Sequence, residues 1–323
     1  LMAMINSDDP AYFGGYINKN FIETQAALNL SMKDVKTLII NSFKSSFLEE
    51  KEKKEWIEKI WKMKKYLVIG NPIEHSLSPK LHNYWINKYG LSALYEKKKL
   101  EEDNLKEIID NVRENLISGI NVTIPFKKLV IPFLDKLTAS AKGLQSVNTI
   151  YKIKNEVWGE NTDRMGFGES LRHYEYNLEN KIVFIIGAGG VTPAIIYELI
   201  SGYGVKKIYI TNRTKSKAEE LKKLSSKIEV IEWGNRPLIF DIVINTTSLG
   251  LKKEDRLDID FKDCRNNKNK MFYDVIYNPK QTYFLKEAKK RGNKFMNGEM
   301  MFIYQARLAF KIWHNIMPKV DNK

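Results

Sequence analysis

From Lys65 onward, short β-branched apolar runs alternate along the chain with helix-length amphipathic stretches. The runs Tyr66 to Gly70, Ile120 to Ile124, Lys181 to Gly187, Lys206 to Asn212, Ile228 to Trp233, Asp241 to Thr247 and Met271 to Tyr277 predict strands. Helices are predicted over Pro79 to Tyr89, Glu101 to Glu114, Arg164 to Tyr176, Val191 to Ile200, Ser216 to Leu224, Thr282 to Arg291 and Glu299 to Trp313. The strand runs are apolar throughout instead of alternating, which is the mark of parallel strands covered by helices on both faces. An α/β fold follows. Residues 150–158 break the rhythm and read as a hairpin around Lys154 to Glu156, with a domain boundary just after it. Residues 1–63 differ: a polar, glycine-bearing start leads into helical pattern, and Glu49 to Lys65 is laced with opposite charges at helical spacing.

At 323 residues the chain is long enough for two domains. Its 43% hydrophobic content supplies ordinary cores. A single cysteine, Cys264, excludes an intramolecular disulfide and fits a reducing cytoplasm, and with four histidines a Cys/His zinc site is not expected. No run of about 18 apolar residues offers a membrane span, and the N-terminus lacks a secretory signal, so no membrane partner is expected. The formal charge of +14 raises the question of nucleic acid. Residues 1–63 carry nine lysines and nine acidic residues, so the surplus lies beyond them, spread over many helices and loops without an arginine-rich arm or finger. A lysine-rich solvated surface with a bias toward anionic small molecules is the better reading.

The string IVFIIGAGGVTPAIIYEL sets Gly187, Ala188, Gly189 and Gly190 between an apolar strand and an apolar helix. Glycines there permit a tight turn and let backbone amides approach a pyrophosphate at the helix N-terminus. The third glycine of the usual fingerprint is replaced by Thr192, which is expected to hold the helix slightly farther from the strand. At the end of the next strand stand Asn212, Arg213, Thr214 and Lys217, with no acid until Glu219. Two cations and a hydroxyl suit a ribose 2′-phosphate, which favours NADP over NAD. Thr214 also reads as an ordinary helix cap.

In the front half, GNPIEHSLSPKLHN places Ser76 and Ser78 after a strand. Ser78 followed by proline is a good helix N-cap, an explanation that does not extend to Ser76. GINVTIPFK sets Asn121 and Thr123 on one strand face and delivers Lys127 just past the strand end, where open α/β sheets bind ligands. A positioned ammonium there can stabilise charge growing on a carbonyl oxygen and donate a proton. A carboxylate such as Asp163 would orient it. Read alone, Lys127 is a surface lysine and Asp163 a helix N-cap.

These segments, together with SVNT (146–149), ENTDRMG (160–166), the GAGG turn, NRT, NTTSLG (245–250), DVIYNP (274–279) and GEMMFIYQA (298–306), resemble the shikimate dehydrogenase family in order and spacing over residues 64–323. The resemblance implies a substrate domain of residues 64–163, completed by C-terminal helices 298–323, and a Rossmann-like doubly wound NADP-binding domain of residues 164–294. The active site would lie in the cleft between them. It further implies NADP-dependent reduction of 3-dehydroshikimate to shikimate, a step of aromatic amino-acid biosynthesis, in a cytoplasmic monomer or homodimer. A quinate/shikimate dehydrogenase using NAD or both cofactors is the alternative. Ser76 and Ser78, helped by Tyr277, would bind the substrate carboxylate. Asn121, Thr123, Asn148 and Gln305 would read ring hydroxyls, and Lys127 and Asp163 would form the catalytic pair. Thr246 and Gly298 would join the glycine turn and residues 212–217 on the cofactor side. The chain departs from the family in having Gln145 and Ser146 where Gly-Ala is common.

Residues 6–60 resemble the C-terminal end of an adenosine or adenine deaminase, in which Asp8 and Asp9 would serve zinc and substrate. The histidine ligands of such a site are missing from the chain, and a catalytic zinc needs about three protein ligands, so no deaminase activity is expected. The segment is expected to be partly helical, loosely docked and dispensable.

Overall fold

The computed structural model describes residues 3–5, 17–30, 32–257, 259–261 and 270–320. Asp8, Asp9 and Cys264 lie outside the described residues. Two six-stranded sheets organise the chain. The first holds β1 (Lys64–Gly70), β2 (Ala93–Lys99), β3 (Gly119–Val122), β4 (Lys136–Leu137), β5 (Thr149–Ile153) and β6 (Glu156–Glu160), in the order β2-β1-β3-β5-β6-β4. β1 runs parallel to both β2 and β3, whereas β5 is antiparallel to β3 and to β6. The expected hairpin is the β5–β6 pair, turned at Lys154 with φ 54°.

Covering this sheet on one face is α5 (Leu105–Arg113), whose Leu105, Ile108, Ile109 and Val112 are buried against Leu67, Ile69, Ile120 and Val122. The other face takes α4 (Ser78–Lys88) and α11 (Glu299–His314), which bring Trp85, Phe310 and Trp313 onto Tyr66, Val68 and Tyr95. Gly119 is required here, because a Cβ would lie 2.3 Å from the Trp313 ring nitrogen, which donates to the Ile150 carbonyl at 3.1 Å.

The second sheet is wholly parallel: β7 (Ile182–Ile186), β8 (Lys207–Thr211), β9 (Ile228–Ile231), β10 (Ile242–Asn245), β11 (Met271–Asp274) and β12 (Lys294–Met296), ordered β12-β11-β10-β7-β8-β9. This is the doubly wound dinucleotide order, with the switch between β7 and β10. Alternate residues of β7 feed two cores: Val183 and Ile185 meet α7 (Asp163–His173) and α8 (Thr192–Ser201), while Phe184 and Ile186 meet α10 (Tyr283–Lys290). Burial on both faces is why these strands carry unbroken apolar runs. The remaining helices are α6 (Ala139–Leu144) and α9 (Lys215–Leu221).

Strands end earlier than the apolar runs suggest. β3 ends at Val122, with the Thr123 amide still donating to the Ile69 carbonyl at 2.9 Å in continuation of the ladder, and β11 stops at Asp274, which leaves Tyr277 in a loop. β2 was not foreseen: ALYEKKK is an edge strand whose lysines face solvent, and Tyr95 is its one buried residue. Before the first sheet come α1 (Ile17–Leu28), α2 (Met32–Lys44) and α3 (Glu50–Lys62), with Phe43 stacked on Trp56 at 5.9 Å. Among the described residues, the four hydrophobic cores draw no member from before Tyr66. No described helix is long and apolar enough to cross a membrane.

Candidate active site

The turn after β3 carries Lys127 on a backbone fastened by the Val147 amide, which donates to the Lys127 carbonyl at 2.8 Å. Asp163 opens α7, yet its carboxylate does not cap the helix: the Asn161 side chain accepts from the Asp163 and Arg164 amides at 3.1 and 3.4 Å. The carboxylate is thereby released for other partners. Lys127 Nζ donates to Asp163 Oδ2 at 2.5 Å, and Asn148 Nδ2 donates to Oδ1 at 2.9 Å. Both side chains are largely buried, at 12% and 8% exposure, so each charge needs the other. The two residues, 36 positions apart, meet.

Asn148 is the hub of the surrounding network. Its Nδ2 also reaches Thr162 Oγ1 at 2.9 Å and Gln305 Oε1 at 3.4 Å, while its Oδ1 accepts from the Thr162 amide at 2.8 Å and the Thr149 hydroxyl at 3.1 Å. Gln305 arrives there because α11 crosses α7 at Gly166, where a Cβ would stand 2.7 Å from that of Gln305. Asn121 donates to the Asn148 carbonyl at 3.0 Å and Thr149 Oγ1 at 3.1 Å, and accepts from the Tyr95 hydroxyl at 2.6 Å.

Ser76 and Ser78 sit at the entrance to α4. Leu77 is its N-cap, so the Ser78 hydroxyl is not used as a cap; the Ser78 amide instead donates to Ser76 Oγ at 3.3 Å. The Ser76 side chain lowers the Tyr277 phenol and the Ser78 side chain the Tyr95 phenol, in each case against the larger effect of burial. Tyr277 is held by stacking on Phe302 at 4.4 Å. Burial raises both phenols above the ordinary tyrosine value, so each stays protonated and able to donate.

Across the cleft, Gly187 adopts φ +110°, and a Cβ there would lie 2.7 Å from Thr246 Oγ1. Thr192 is fully buried, and its hydroxyl meets the Gly187 carbonyl at 3.3 Å and Thr246 Oγ1 at 2.9 Å. It ties helix to strand by hydrogen bonds where a glycine would do so by close approach. Asn212 Oδ1 accepts from the Ala188 amide at 3.0 Å and so braces the turn. Around Gly189 and Gly190 there is room: the nearest atoms to a Cβ would be 3.8 Å away, and at Gly190 that atom is Lys127 Cδ. Ser146 also reaches over, donating to the Gly190 carbonyl at 3.3 Å, and Gln145 takes the left-handed C-cap of α6 at φ 48°. The turn thus opens onto the Lys127–Asp163 pair.

Arg213, Thr214 and Lys217 are exposed, and their side chains have no hydrogen-bond or ion-pair partner among the described residues. Thr214 stands at the N-cap of α9 without a side-chain capping bond. Gly298 is the N-cap of α11, where a Cβ would lie 2.1 Å from the Val275 carbonyl oxygen, so it serves the seating of that helix. An approachable glycine turn and two unpartnered cations fit a phosphorylated dinucleotide. Sequence reasoning missed Tyr95, Thr149 and Asn161. Only Asn161 carried a local signal, an Asx residue just ahead of a helix.

Residues 68–150 match the model of the shikimate dehydrogenase substrate binding domain, and residues 170–277 that of shikimate / quinate 5-dehydrogenase. A shikimate dehydrogenase (NADP(+)) of Pelagibacter ubique (strain HTCC1062) is 54% identical over 260 residues, which span 80% of this chain and 97% of that protein. The chain belongs to the shikimate dehydrogenase family. Among solved structures, the shikimate dehydrogenase of Aquifex aeolicus shares 36% identity with a TM-score of 0.73, covering 80% of this chain and 94% of its own. A shikimate dehydrogenase crystallised in complex with NADP+ shares 33% with the same TM-score, covering 80% and 92%. Residues 1–63 match the adenosine deaminase model, outside the span shared with the family.

Proposed function

We propose that this chain catalyses the reversible NADPH-dependent reduction of 3-dehydroshikimate to shikimate. The observation that carries the reading is the Lys127–Asp163 pair, 2.5 Å apart, beside the glycine turn of a parallel dinucleotide sheet. Residues 64–163 with the C-terminal helix form the substrate side, and residues 164–294 the cofactor side. The names of the relatives, which specify NADP(+), support the same activity.

NADPH, when bound, supplies the hydride that reduces the substrate ketone. Gly187, Ala188, Gly189 and Gly190 would hold its pyrophosphate, Thr246 would line the turn, and Arg213, Thr214 and Lys217 would take the 2′-phosphate, with Asn212 bracing them. Lys127, aimed by Asp163, hydrogen-bonds the carbonyl oxygen, stabilises the charge growing on it and delivers the proton that makes the hydroxyl. In the oxidative direction the same amine takes that proton back. Asp163 keeps the ammonium aimed and accepts from a ring hydroxyl. Ser76, Ser78 and Tyr277 donate to the substrate carboxylate and so fix which end of the ring enters first. Asn148, Gln305 and Thr123 read the hydroxyls. Asn121 has spent both amide hydrogens on Asn148 and Thr149, so toward a ligand it offers only an acceptor.

Absorbance at 340 nm with shikimate or quinate, each with NADP or NAD, tests the reading. Shikimate with NADP is expected to give the highest kcat/KM of the four pairs. Absence of turnover with that pair refutes it.

A further inference from the structure

Tyr95 is an anomaly on its strand. The rest of β2 is wholly or partly exposed and ends in three lysines, yet Tyr95 is 1% exposed. A buried phenol is costlier than phenylalanine unless its hydroxyl is satisfied. This one is held firmly. Asn83 grips its backbone, accepting from the amide at 2.9 Å and donating to the carbonyl at 2.8 Å, and the His82 ring lies on its face at 4.2 Å and 5°.

From that hydroxyl the donors all point one way. Tyr95 donates to Asn121 Oδ1 at 2.6 Å, Asn121 Nδ2 to Thr149 Oγ1 at 3.1 Å, Thr149 to Asn148 Oδ1 at 3.1 Å, and Asn148 Nδ2 to Asp163 Oδ1 at 2.9 Å. The series ends on a carboxylate, which accepts only. Aligned donors polarise one another, and such networks exceed the sum of their pairs.

We infer that Tyr95 is a positioning residue that supports the Lys127–Asp163 pair through this directed chain of buried hydrogen bonds. The inference rests on the shikimate reading above. Its phenol fixes the orientation of the Asn121 amide, which sets Thr149, Asn148 and the Asp163 oxygen not used by Lys127. Tyr95 touches no reacting atom.

The test is a double-mutant cycle on kcat/KM for shikimate, read at 340 nm with NADP. Tyr95→Phe alone is expected to lower kcat/KM by about 10-fold, on the scale of one buried hydrogen bond, with KM for NADP unchanged within about twofold. Combined with Thr149→Val, which severs the chain at another link and keeps the phenol in place, the double variant is expected to be no more than about twofold worse than the worse single, because both cut one chain. Combined with Arg213→Ala, on the other sheet, the two losses are expected to multiply. Tyr95→Phe within twofold of the parent, or effects that multiply with Thr149→Val as they do with Arg213→Ala, overturn the inference. If the parent itself fails to oxidise shikimate, both the reading and the inference fall; an active parent with additive cycles sinks the inference alone.

Discussion

The two sheets present very different surfaces at their C-terminal ends. Beyond β3 and β6 the side chains of the Lys127 site are already hydrogen-bonded to one another: Lys127 to Asp163, Asp163 to Asn148, Asn148 to Thr162 and Gln305. Beyond β8, Arg213 and Lys217 stand in solvent without partners among the described residues. Burial explains the contrast. A charge at about a tenth exposure is expensive unless paired before the substrate arrives, whereas an exposed guanidinium is well hydrated and can wait. The substrate end is therefore pre-organised, and the cofactor end is selected by electrostatic fit.

The sharpest way to break that contrast is to remove the waiting cations. Arg213→Ala combined with Lys217→Ala is expected to raise KM for NADP by about 10- to 100-fold, since each charge-assisted phosphate contact is worth about 1.5–3 kcal/mol before solvent screening. Turnover at saturating NADP and the KM for NAD should stay within about twofold. Steady-state kinetics with both cofactors reads this; an equal loss toward NAD would place the two cations elsewhere in the mechanism.

Burial also gives the substrate end an acid sensitivity that the exposed end lacks. His82 has no hydrogen-bond partner for either ring nitrogen among the described residues, and desolvation, with His314 nearby, depresses it from 6.5 to about 3. The unfolded chain therefore binds a proton below pH 6.5 that the folded one refuses, so stability falls as pH drops from 6.5 toward 3. By pH 5 this single group removes about 2 kcal/mol. Asp274 opposes it: burial raises that carboxyl to about 6, which adds stability as pH falls from 6 toward 3.8. His82→Phe leaves the Asp274 contribution alone and is expected to lose about 2 kcal/mol less than the parent between pH 7 and pH 5 in denaturant titrations. Identical losses in the two proteins would show that His82 is not buried neutral.

The smallest expected effect concerns the N-terminal helices, which contribute to none of the cores above among the described residues. A chain starting at Met63 should keep kcat and both KM values within about twofold, measured at equal concentrations of folded protein. Loss of folded enzyme would assign the segment a supporting role.

How much of this was legible depended on range. Parallel strands announce themselves because burial on both faces demands unbroken apolar runs, as in Ile182–Ile186 and Ile242–Asn245. β2 did not, because an edge strand may carry lysines at most positions, and β4 and β12, of two and three residues, are too short for any period. The end of β11 was overrun at Tyr277, an aromatic residue beyond the last ladder bond that serves the site. Lys127, Asp163, Asn148 and the glycine turn could be named from short strings, each local in sequence. Tyr95 and Thr149 could not, because their meaning lies in bonds to Asn121 across 26 and 28 positions. The caps were misjudged for a related reason: Ser78 and Asp163 look like caps locally, but Leu77 and Thr162 hold those positions, and Asn161 takes the capping bonds of α7.

The central claim is that the Lys127 ammonium completes the ketone reduction. Lys127→Ala, assayed at 340 nm with saturating shikimate and NADP beside a fluorescence titration of NADPH binding, should lose turnover by about 10²- to 10⁴-fold while binding NADPH as the parent does. Near-parental turnover in that variant would contradict the account.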